Sequence, residues 1–163
     1  MPEPTVPVFG VPRPGVRYRV RPSAYAVVPD PTGALAVLRT PLGWFLPGGG
    51  RDEGEEPADT VVREGVEEAG LRLAPERVLG EATEWVHAPG DDAGWEKRST
   101  FLLARVTGSA TAVEPDHVLE WIPAAEAALV LTPPTHRWIV ERWMAGGPAS
   151  GGNPDMAPTP RYP

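Results

Sequence analysis

Short apolar stretches separated by glycine and proline recur along most of the chain and predict β-strands there. A helical signal stands between them, where Pro57 suits a first helical turn and Gly70 suits a helix end. The run Pro47–Gly50 is expected to interrupt any regular element. The predicted strands are Arg17–Val20, Ala24–Val28, Ala34–Leu38, Trp44–Leu46, Val78–Ala88, Lys97–Val106 and Val118–Ile122, and the predicted helices are Pro57–Ala69, Pro123–Val130 and Thr135–Ala145. This order indicates a mixed β-sheet with helices packed on it.

The central predicted helix, Pro57–Ala69, places three glutamates on one of its faces. Glu64, Glu67 and Glu68 are spaced i, i+3 and i+4, and this spacing brings side chains together on a helix. Its apolar residues fall on the opposite face, so the helix can pack on a sheet while it presents the carboxylates. Carboxylates held this close repel one another unless a hard cation such as Mg²⁺ offsets the repulsion. The pattern predicts a cation site, and a merely solvated acidic face is the alternative.

The segment before this helix adds groups that suit phosphate or metal chemistry. Gly48, Gly49 and Gly50 have no side chains, so their backbone groups can face a phosphate or a metal closely. Glu55 lies at the predicted helix start, where a carboxylate can accept backbone N–H bonds. Arg63 lies beside the carboxylate face and can hold one carboxylate in a fixed orientation.

The negative charge of the chain is concentrated in this region. The formal net charge is −7, and residues 49–71 carry eight acidic and only two basic side chains. An acidic balance of this kind argues against a nucleic acid polymer as partner. The chain has no cysteine, which excludes disulfides, thiolate metal sites and a cysteine nucleophile.

Proline and glycine are most frequent at the two ends of the 163-residue chain. We therefore expect flexible tails at residues 1–14 and 146–163 around one domain at residues 15–145. A polar loop, Pro89–Gly94, is expected between two strands. No apolar run approaches the ~20 residues that span a membrane, and Met1–Gly10 lacks the pattern of a signal peptide. The expected location is the cytoplasm, without a membrane partner.

Seven residues at fixed spacing resemble the Nudix box, G-x5-E-x7-R-E-U-x-E-E-x-G-U, where U is a bulky aliphatic residue. They are Gly49, Glu55, Arg63, Glu64, Glu67, Glu68 and Gly70, and Leu71 fills the last aliphatic position. So many identities at the right spacing form a specific signal. Gly65 departs from the pattern because it stands at an aliphatic position. We expect it to cost the helix roughly 1 kcal/mol relative to alanine and to leave a packing side chain missing.

The resemblance implies the fold and the activity of a MutT-like Nudix hydrolase. The implied fold is an α/β/α sandwich, a mixed sheet with helices on both faces. The implied reaction is hydrolysis of a nucleoside diphosphate linked to another moiety, with Mg²⁺, or Mn²⁺ as an alternative, as cofactor and a small-molecule nucleotide as substrate. The implied metal ligands are Glu64, Glu67, Glu68 and the carbonyl of Gly48. Arg63 would orient a box carboxylate, and Glu55 would brace the loop or act through a metal-bound water.

The resemblance leaves the catalytic base open between the box and a later loop. Glu64 is the candidate inside the box. Outside it, Glu96, Glu114 and Glu120 are available, and Glu114 is our preferred residue. His117, three residues further on, is either a substrate contact or an ordinary surface histidine.

Candidate substrate contacts lie before and within the box. Gly49 and Gly50 would approach phosphates, and Arg21 ends an alternating run of arginines that would share one face of a strand. That run either binds the substrate or protects an edge strand by its charge. Arg39, after an apolar strand, is open to the same two interpretations.

The substrate and the oligomeric state are left open by the sequence. A nucleoside triphosphate or oxidised nucleotide, ADP-ribose and a nucleotide sugar are all compatible with the box. A homodimer is common in such enzymes, and the tryptophan-containing C-terminal helix is its candidate interface. The competing class is a non-catalytic Nudix domain that binds a nucleotide or metabolite as a sensor. The intact acidic residues and Arg63 favour an enzyme.

Overall fold

A computed structural model describes residues 5–87 and 92–146, which contain eight strands and three helices. The strands are β1 Val8–Phe9, β2 Arg17–Val27, β3 Ala34–Thr40, β4 Gly43–Phe45, β5 Gly48–Gly50, β6 Leu71–His87, β7 Ala93–Ser109 and β8 Val118–Pro123. The helices are α1 Pro57–Ala69, α2 Ala124–Val130 and α3 Pro134–Met144. Most of the predicted tail 146–163, the first residues of the tail 1–14 and part of the loop Pro89–Gly94 lie outside the described residues.

The strands form two sheets, one with the order β1-β6-β7-β2-β5 and one with the order β4-β3-β8. In the larger sheet β6 and β7 pair antiparallel, whereas β2 runs parallel to β7 along all of its 11 residues. The larger sheet is therefore mixed, as predicted. Strand β5 forms one of its edges, antiparallel to β2.

Side chains along β2 point alternately to the two faces of this sheet, and the helices cover both faces. Ala24 and Ala26 point to one face, where they pack in a buried cluster with Val61 of α1. Tyr25 and Val27 point to the other face, where they pack with residues of α2 and α3 such as Ile139. The predicted α/β/α sandwich is confirmed. Helix α1 therefore packs on one face of the larger sheet, and its acidic side is directed away from the apolar core.

Helix α1 has the bounds that the sequence predicted. A capping box closes its first turn, because the Glu56 side chain accepts the N3 backbone N–H and the Asp59 side chain accepts the Glu56 N–H (2.9 Å). Pro57 occupies the first turn, and Gly70 ends the helix. The residues at both ends of α1 therefore favour the same helix bounds that its packing on the sheet requires.

Several predicted strand bounds were wrong, and pairing explains each correction. Arg17–Val20 and all of Ala24–Val28 except Val28 are parts of one strand, because β7 pairs with β2 through the proline between them. Gly48–Gly50 does not interrupt regular structure but forms β5, since β2 supplies a partner for each glycine. Val8–Phe9, in the expected N-terminal tail, pairs with β6. Pairing with a neighbouring strand outweighs local preference in each case.

Gly65 is buried in α1, and the side chain of Leu73 fills the space beside it. A Cβ atom at Gly65 would lie 2.7 Å from Leu73 Cδ1 and 3.1 Å from the carbonyl oxygen of Leu71. The expectation of a missing packing side chain was therefore wrong. Leu73, from the strand that follows the helix, takes the place of the aliphatic residue and is itself 5% exposed.

We expect Gly65→Val to destabilise the fold, since the added side chain would overlap with Leu73. The single variant should lose about 1–3 kcal/mol of unfolding free energy through overpacking. Leu73→Ala alone should lose about 2–5 kcal/mol through the cavity that it creates. In the double variant the two losses should fall short of their sum by at least ~1 kcal/mol, measured by urea denaturation. Strictly additive losses would contradict the packing described.

Candidate active site

Strand β5 lies directly beside helix α1, at the edge of the larger sheet. The Ala26 N–H donates to the Pro47 carbonyl and the Arg51 N–H to the Pro22 carbonyl, so in the alternating ladder the backbone groups of Gly48 and Gly50 point away from β2. The Gly48 N–H donates to Glu68 Oε1 at 3.0 Å. The Gly50 carbonyl accepts a hydrogen bond from Arg63 Nη2 at 3.1 Å. The outer edge of β5 is therefore bonded to the acidic side of α1.

The absence of side chains on β5 is a steric requirement. A Cβ atom at Gly49 would lie 2.5 Å from Glu64 Oε1. Gly48 has φ +146°, and a Cβ atom there would overlap with the carbonyl oxygen of Ala24. A Cβ atom at Gly50 would lie 2.8 Å from Arg21 Nη2, on the opposite side of the strand from Glu64. The three glycines thus let charged side chains lie against both sides of the strand.

Arg63 is the counter-charge of this acidic cluster. It holds Glu55 through two hydrogen bonds of 2.9 Å, from Nε to Oε2 and from Nη2 to Oε1. Its Nη1 also donates to Glu64 at 3.1 Å and to Glu67 at 3.2 Å. The Arg63 guanidinium, together with the backbone N–H of Asp52, lowers the pKa of Glu55 to about 2. Arg63 therefore fixes the loop before α1 and two carboxylates on α1 at once.

The loop that precedes β8 is docked on the C-terminal end of α1. The N–H groups of Val113 and Glu114 donate to the Glu67 carbonyl at 2.9 and 3.1 Å, and the Ala110 N–H donates to the Gly70 carbonyl at 2.8 Å. These carbonyls would otherwise lack partners at a helix end. Docking brings Glu114 to the box carboxylates, 46 or more residues away in sequence.

Two overlapping groups of possible metal ligands result. Ligand atoms of Glu64, Glu67 and Glu114 lie within 4.8 Å of one another, and so do those of Glu68, Glu114 and His117. Burial, opposed by the Gly48 N–H and reinforced by repulsion from the neighbouring carboxylates, raises the pKa of Glu68 to about 8. Burial likewise raises the pKa of Glu64. A divalent cation would relieve this repulsion, and the largely carboxylate donor set fits Mg²⁺ or Mn²⁺.

The comparison with protein families agrees with this geometry. The model of the NUDIX domain family matches residues 19–144 of the chain. The chain belongs to the Nudix family. The match covers the smaller sheet, the larger sheet except β1 and the first two residues of β2, the acidic helix and the docked loop.

Named relatives of this Nudix chain are hydrolases. The human diphosphoinositol polyphosphate phosphohydrolase 3-beta is 32% identical over 128 residues, which cover 74% of this chain and 73% of that protein. A putative 8-oxo-dGTP diphosphatase 3 of Mycobacterium tuberculosis is 30% identical over 149 residues, which cover 85% of this chain and 61% of that protein. A Nudix hydrolase from Nitrosomonas europaea has the same fold, with a TM-score of 0.66 and 17% identity over 85% of this chain and all of that structure. The Nudix chain is an enzyme, and the sensor interpretation is set aside.

The structure brings most of the predicted catalytic and metal-binding residues of this Nudix hydrolase to one place. Glu55, Arg63, Glu64, Glu67, Glu68 and Glu114 all take part in the contacts above, and Gly48 joins them through its N–H. Their chemical roles, including metal binding by the Gly48 carbonyl, stay predictions. His117 was left open by the sequence, yet it lies between Glu68 and Glu114. In the sequence, the only sign of this was that His117 follows Glu114 by three residues. That spacing predicts a shared site only once the docking of the loop on α1 is known.

Two predicted substrate contacts lie apart from the carboxylates. The Arg21 guanidinium lies over the Trp95 ring, 5.0 Å from its centroid, on the face of the sheet opposite α1. Arg39 forms an ion pair with Glu120 at 2.8 Å, between neighbouring strands of the smaller sheet. Substrate binding by either arginine stays a prediction. Glu120, one of the alternative bases, is held in that ion pair.

We expect Arg63→Gln to raise the pKa of Glu55 from about 2 towards its ordinary value of about 4.5. A lowered pKa stabilises the fold at pH values above the ordinary value, and the gain is lost as the pH falls towards 2. The variant should therefore lose less stability than the wild type between pH 5 and pH 2.5. The ¹³C shift of the Glu55 carboxyl measures the pKa directly. Arg105→Gln, which removes an arginine paired instead with Glu76, is the control. An unchanged Glu55 pKa in Arg63→Gln would show that Arg63 is not what lowers it.

Proposed function

We propose that this Nudix hydrolase cleaves the pyrophosphate bond of a nucleoside diphosphate linked to another moiety, with Mg²⁺ or Mn²⁺ as cofactor. The observation that carries the proposal is the convergence of Glu64, Glu67 and Glu114 within 4.8 Å beside a strand without side chains. Carboxylates held this close repel one another, and Glu64 and Glu68 are also largely removed from water, so folding alone gives no reason for the arrangement. They suit a cation and the phosphates that accompany it.

Glu67 and Glu68, with the carbonyl of Gly48, would hold the cation. When bound, a divalent cation neutralises phosphate oxygens, lowers the pKa of a coordinated water and stabilises the leaving group. Arg63 keeps Glu67 in place through its Nη1, and the Gly48 N–H does the same for Glu68. The carboxylates are thus oriented before substrate arrives, which lowers the reorganisation needed in the reaction.

We assign proton acceptance to Glu64, with Glu114 as the alternative. Glu64 lies directly against Gly49, where no side chain separates it from the space beside β5. Arg63 Nη1 binds its Oε1 and fixes the orientation of the carboxylate. Glu114 is shared by both groups of possible ligands, which suits a residue that binds the cation more than one that accepts the proton.

A cavity of about 520 Å³ offers room for the rest of the substrate. It lies on the same face of the larger sheet as α1, because most of its residues on β2 and β7, such as Pro22 and Thr100, alternate in step with Ala24 and Leu102. It is lined by Val6, Val20, Pro22, Arg51, Glu81, Ala82, Thr83, Glu96, Arg98, Ser99 and Thr100. Arg51 also donates two hydrogen bonds to the Glu55 carbonyl, so the cavity borders the box loop. Its described lining holds hydroxyl and charged groups and no aromatic ring, which favours a polar moiety over a stacked base.

The proposal includes a small-molecule substrate and a cytoplasmic location. None of the helices in the described parts of the chain is long and apolar enough to cross a membrane. A homodimer stays a prediction. The names of the relatives add diphosphoinositol polyphosphates to the compounds worth testing and include an oxidised nucleotide that the box already allowed.

We expect metal-dependent release of phosphate or of a monophosphate from one class of pyrophosphate compound. The panel contains nucleoside triphosphates, 8-oxo-dGTP, ADP-ribose, a nucleotide sugar and a diphosphoinositol polyphosphate, each with Mg²⁺, with Mn²⁺ and with EDTA. Release that stops in EDTA supports the proposal. Release that continues unchanged in EDTA, or none from the whole panel by folded protein that binds Mn²⁺, counts against it.

We expect Glu64→Gln to lower kcat at least ~100-fold, because a general base contributes this much or more. KM should change little, since the amide has nearly the same shape. Glu53→Gln removes the same charge from an exposed position in the loop before α1 and is the matched control. A larger loss of kcat in Glu114→Gln than in Glu64→Gln would transfer proton acceptance to Glu114.

A further inference from the structure

The imidazole of His117 lies between two carboxylates of the acidic site. Its Nε2 is 3.1 Å from Glu68 Oε2, and its Nδ1 is 3.1 Å from Glu114 Oε2. The side chain is 22% exposed, so most of the ring is covered. Its position is set by the backbone, because the His117 N–H closes a turn on the Glu114 carbonyl at 3.3 Å and Glu114 is itself docked on α1.

The two ring nitrogens are in different situations. The Nδ1 atom is buried, and no described residue forms a hydrogen bond with it, although the Glu114 oxygen is close. A neutral imidazole has one N–H and one lone pair. With the proton on Nε2, the ring donates to Glu68, and the Nδ1 lone pair stands beside the carboxylate oxygen of Glu114. Two electron-rich atoms at this distance repel unless a proton on Nδ1 or a metal cation lies close to both.

This arrangement corresponds to a general pattern of metal-binding histidines. A histidine that binds a metal through one nitrogen almost always donates its other N–H to a carboxylate or carbonyl, which fixes the ring. Here Glu68 is in the place of that carboxylate, and its other oxygen is held by the Gly48 N–H at 3.0 Å. The ring is thus oriented by a carboxylate that is anchored on the backbone of β5.

We propose that His117 binds the divalent cation of this enzyme through Nδ1, with Glu114 as a neighbouring oxygen ligand and Glu68 as the residue that orients the ring. The inference rests on the cation of the proposed function and adds a nitrogen ligand to it. Glu68 can orient the ring and still bind the cation, because each carboxylate oxygen has two lone pairs. Imidazole nitrogen suits transition-metal ions, whereas Mg²⁺ is bound mainly by oxygen. His117 therefore shifts the preference of the site from Mg²⁺ towards Mn²⁺ and similar ions.

The direct test is pulsed electron paramagnetic resonance of the Mn²⁺-loaded full chain without a histidine tag. Coordination by His117 predicts nitrogen modulation of the electron spin echo in the wild type and its loss in His117→Asn. The chain has three histidines, so His87→Asn is the matched control and should retain the modulation. Absence of nitrogen modulation in the wild type would overturn the proposal even where a variant folds poorly.

Titration calorimetry gives an independent measurement on the same proteins. His117→Asn should weaken Mn²⁺ binding ~10-fold or more, as loss of a metal-site histidine contact does, and Mg²⁺ binding much less. Equal weakening for both ions would overturn the proposed preference. Mn²⁺ binding without nitrogen modulation would overturn the role of His117 and leave the carboxylate site intact. No Mn²⁺ binding by the folded wild type would overturn both this inference and the cation of the proposed function.

Discussion

The antiparallel pairing of β5 with β2 is the contact on which the site depends. A strand of three glycines gains little from its own residues, and it persists because β2 satisfies one side of its backbone. Its other side is then available to Glu68 and Arg63 of α1. The same missing side chains let Glu64 lie against the strand. Loss of this pairing would remove the surface on which the carboxylates are arranged, even if α1 itself remained helical.

Opposite charge and helix-end hydrogen bonding complete what this pairing begins. Arg63 spreads one positive charge over Glu55, Glu64 and Glu67, which lets the carboxylates of the loop and the helix lie close together. Carbonyls at the end of α1, which have no partner within the helix, accept hydrogen bonds from the loop that carries Glu114 and hold it there. Ordinary backbone chemistry thus brings a distant part of the chain to the acidic face.

The sequence predicted the parts of this site that are local. The bounds of α1 and the shared face of Glu64, Glu67 and Glu68 follow from helical spacing and from proline and glycine at the ends. The strand character of Gly48–Gly50 could not be predicted, because it comes from a partner strand and not from the glycines. The position of His117 could not be predicted either, because the spacing of residues along a loop does not determine which of them meet until the loop is docked.

Leu73 shows that the 23-residue box is not a self-contained unit in this chain. The space beside Gly65, inside the box, is filled by a side chain that lies beyond its last residue. A box transplanted from this chain into another scaffold would leave that filling behind, together with the loop that contributes Glu114. Conversely, a box from another Nudix protein, with its own aliphatic residue at this position, would collide with Leu73. Exchange of catalytic segments between relatives would therefore succeed only when the helix and the strand after it move together.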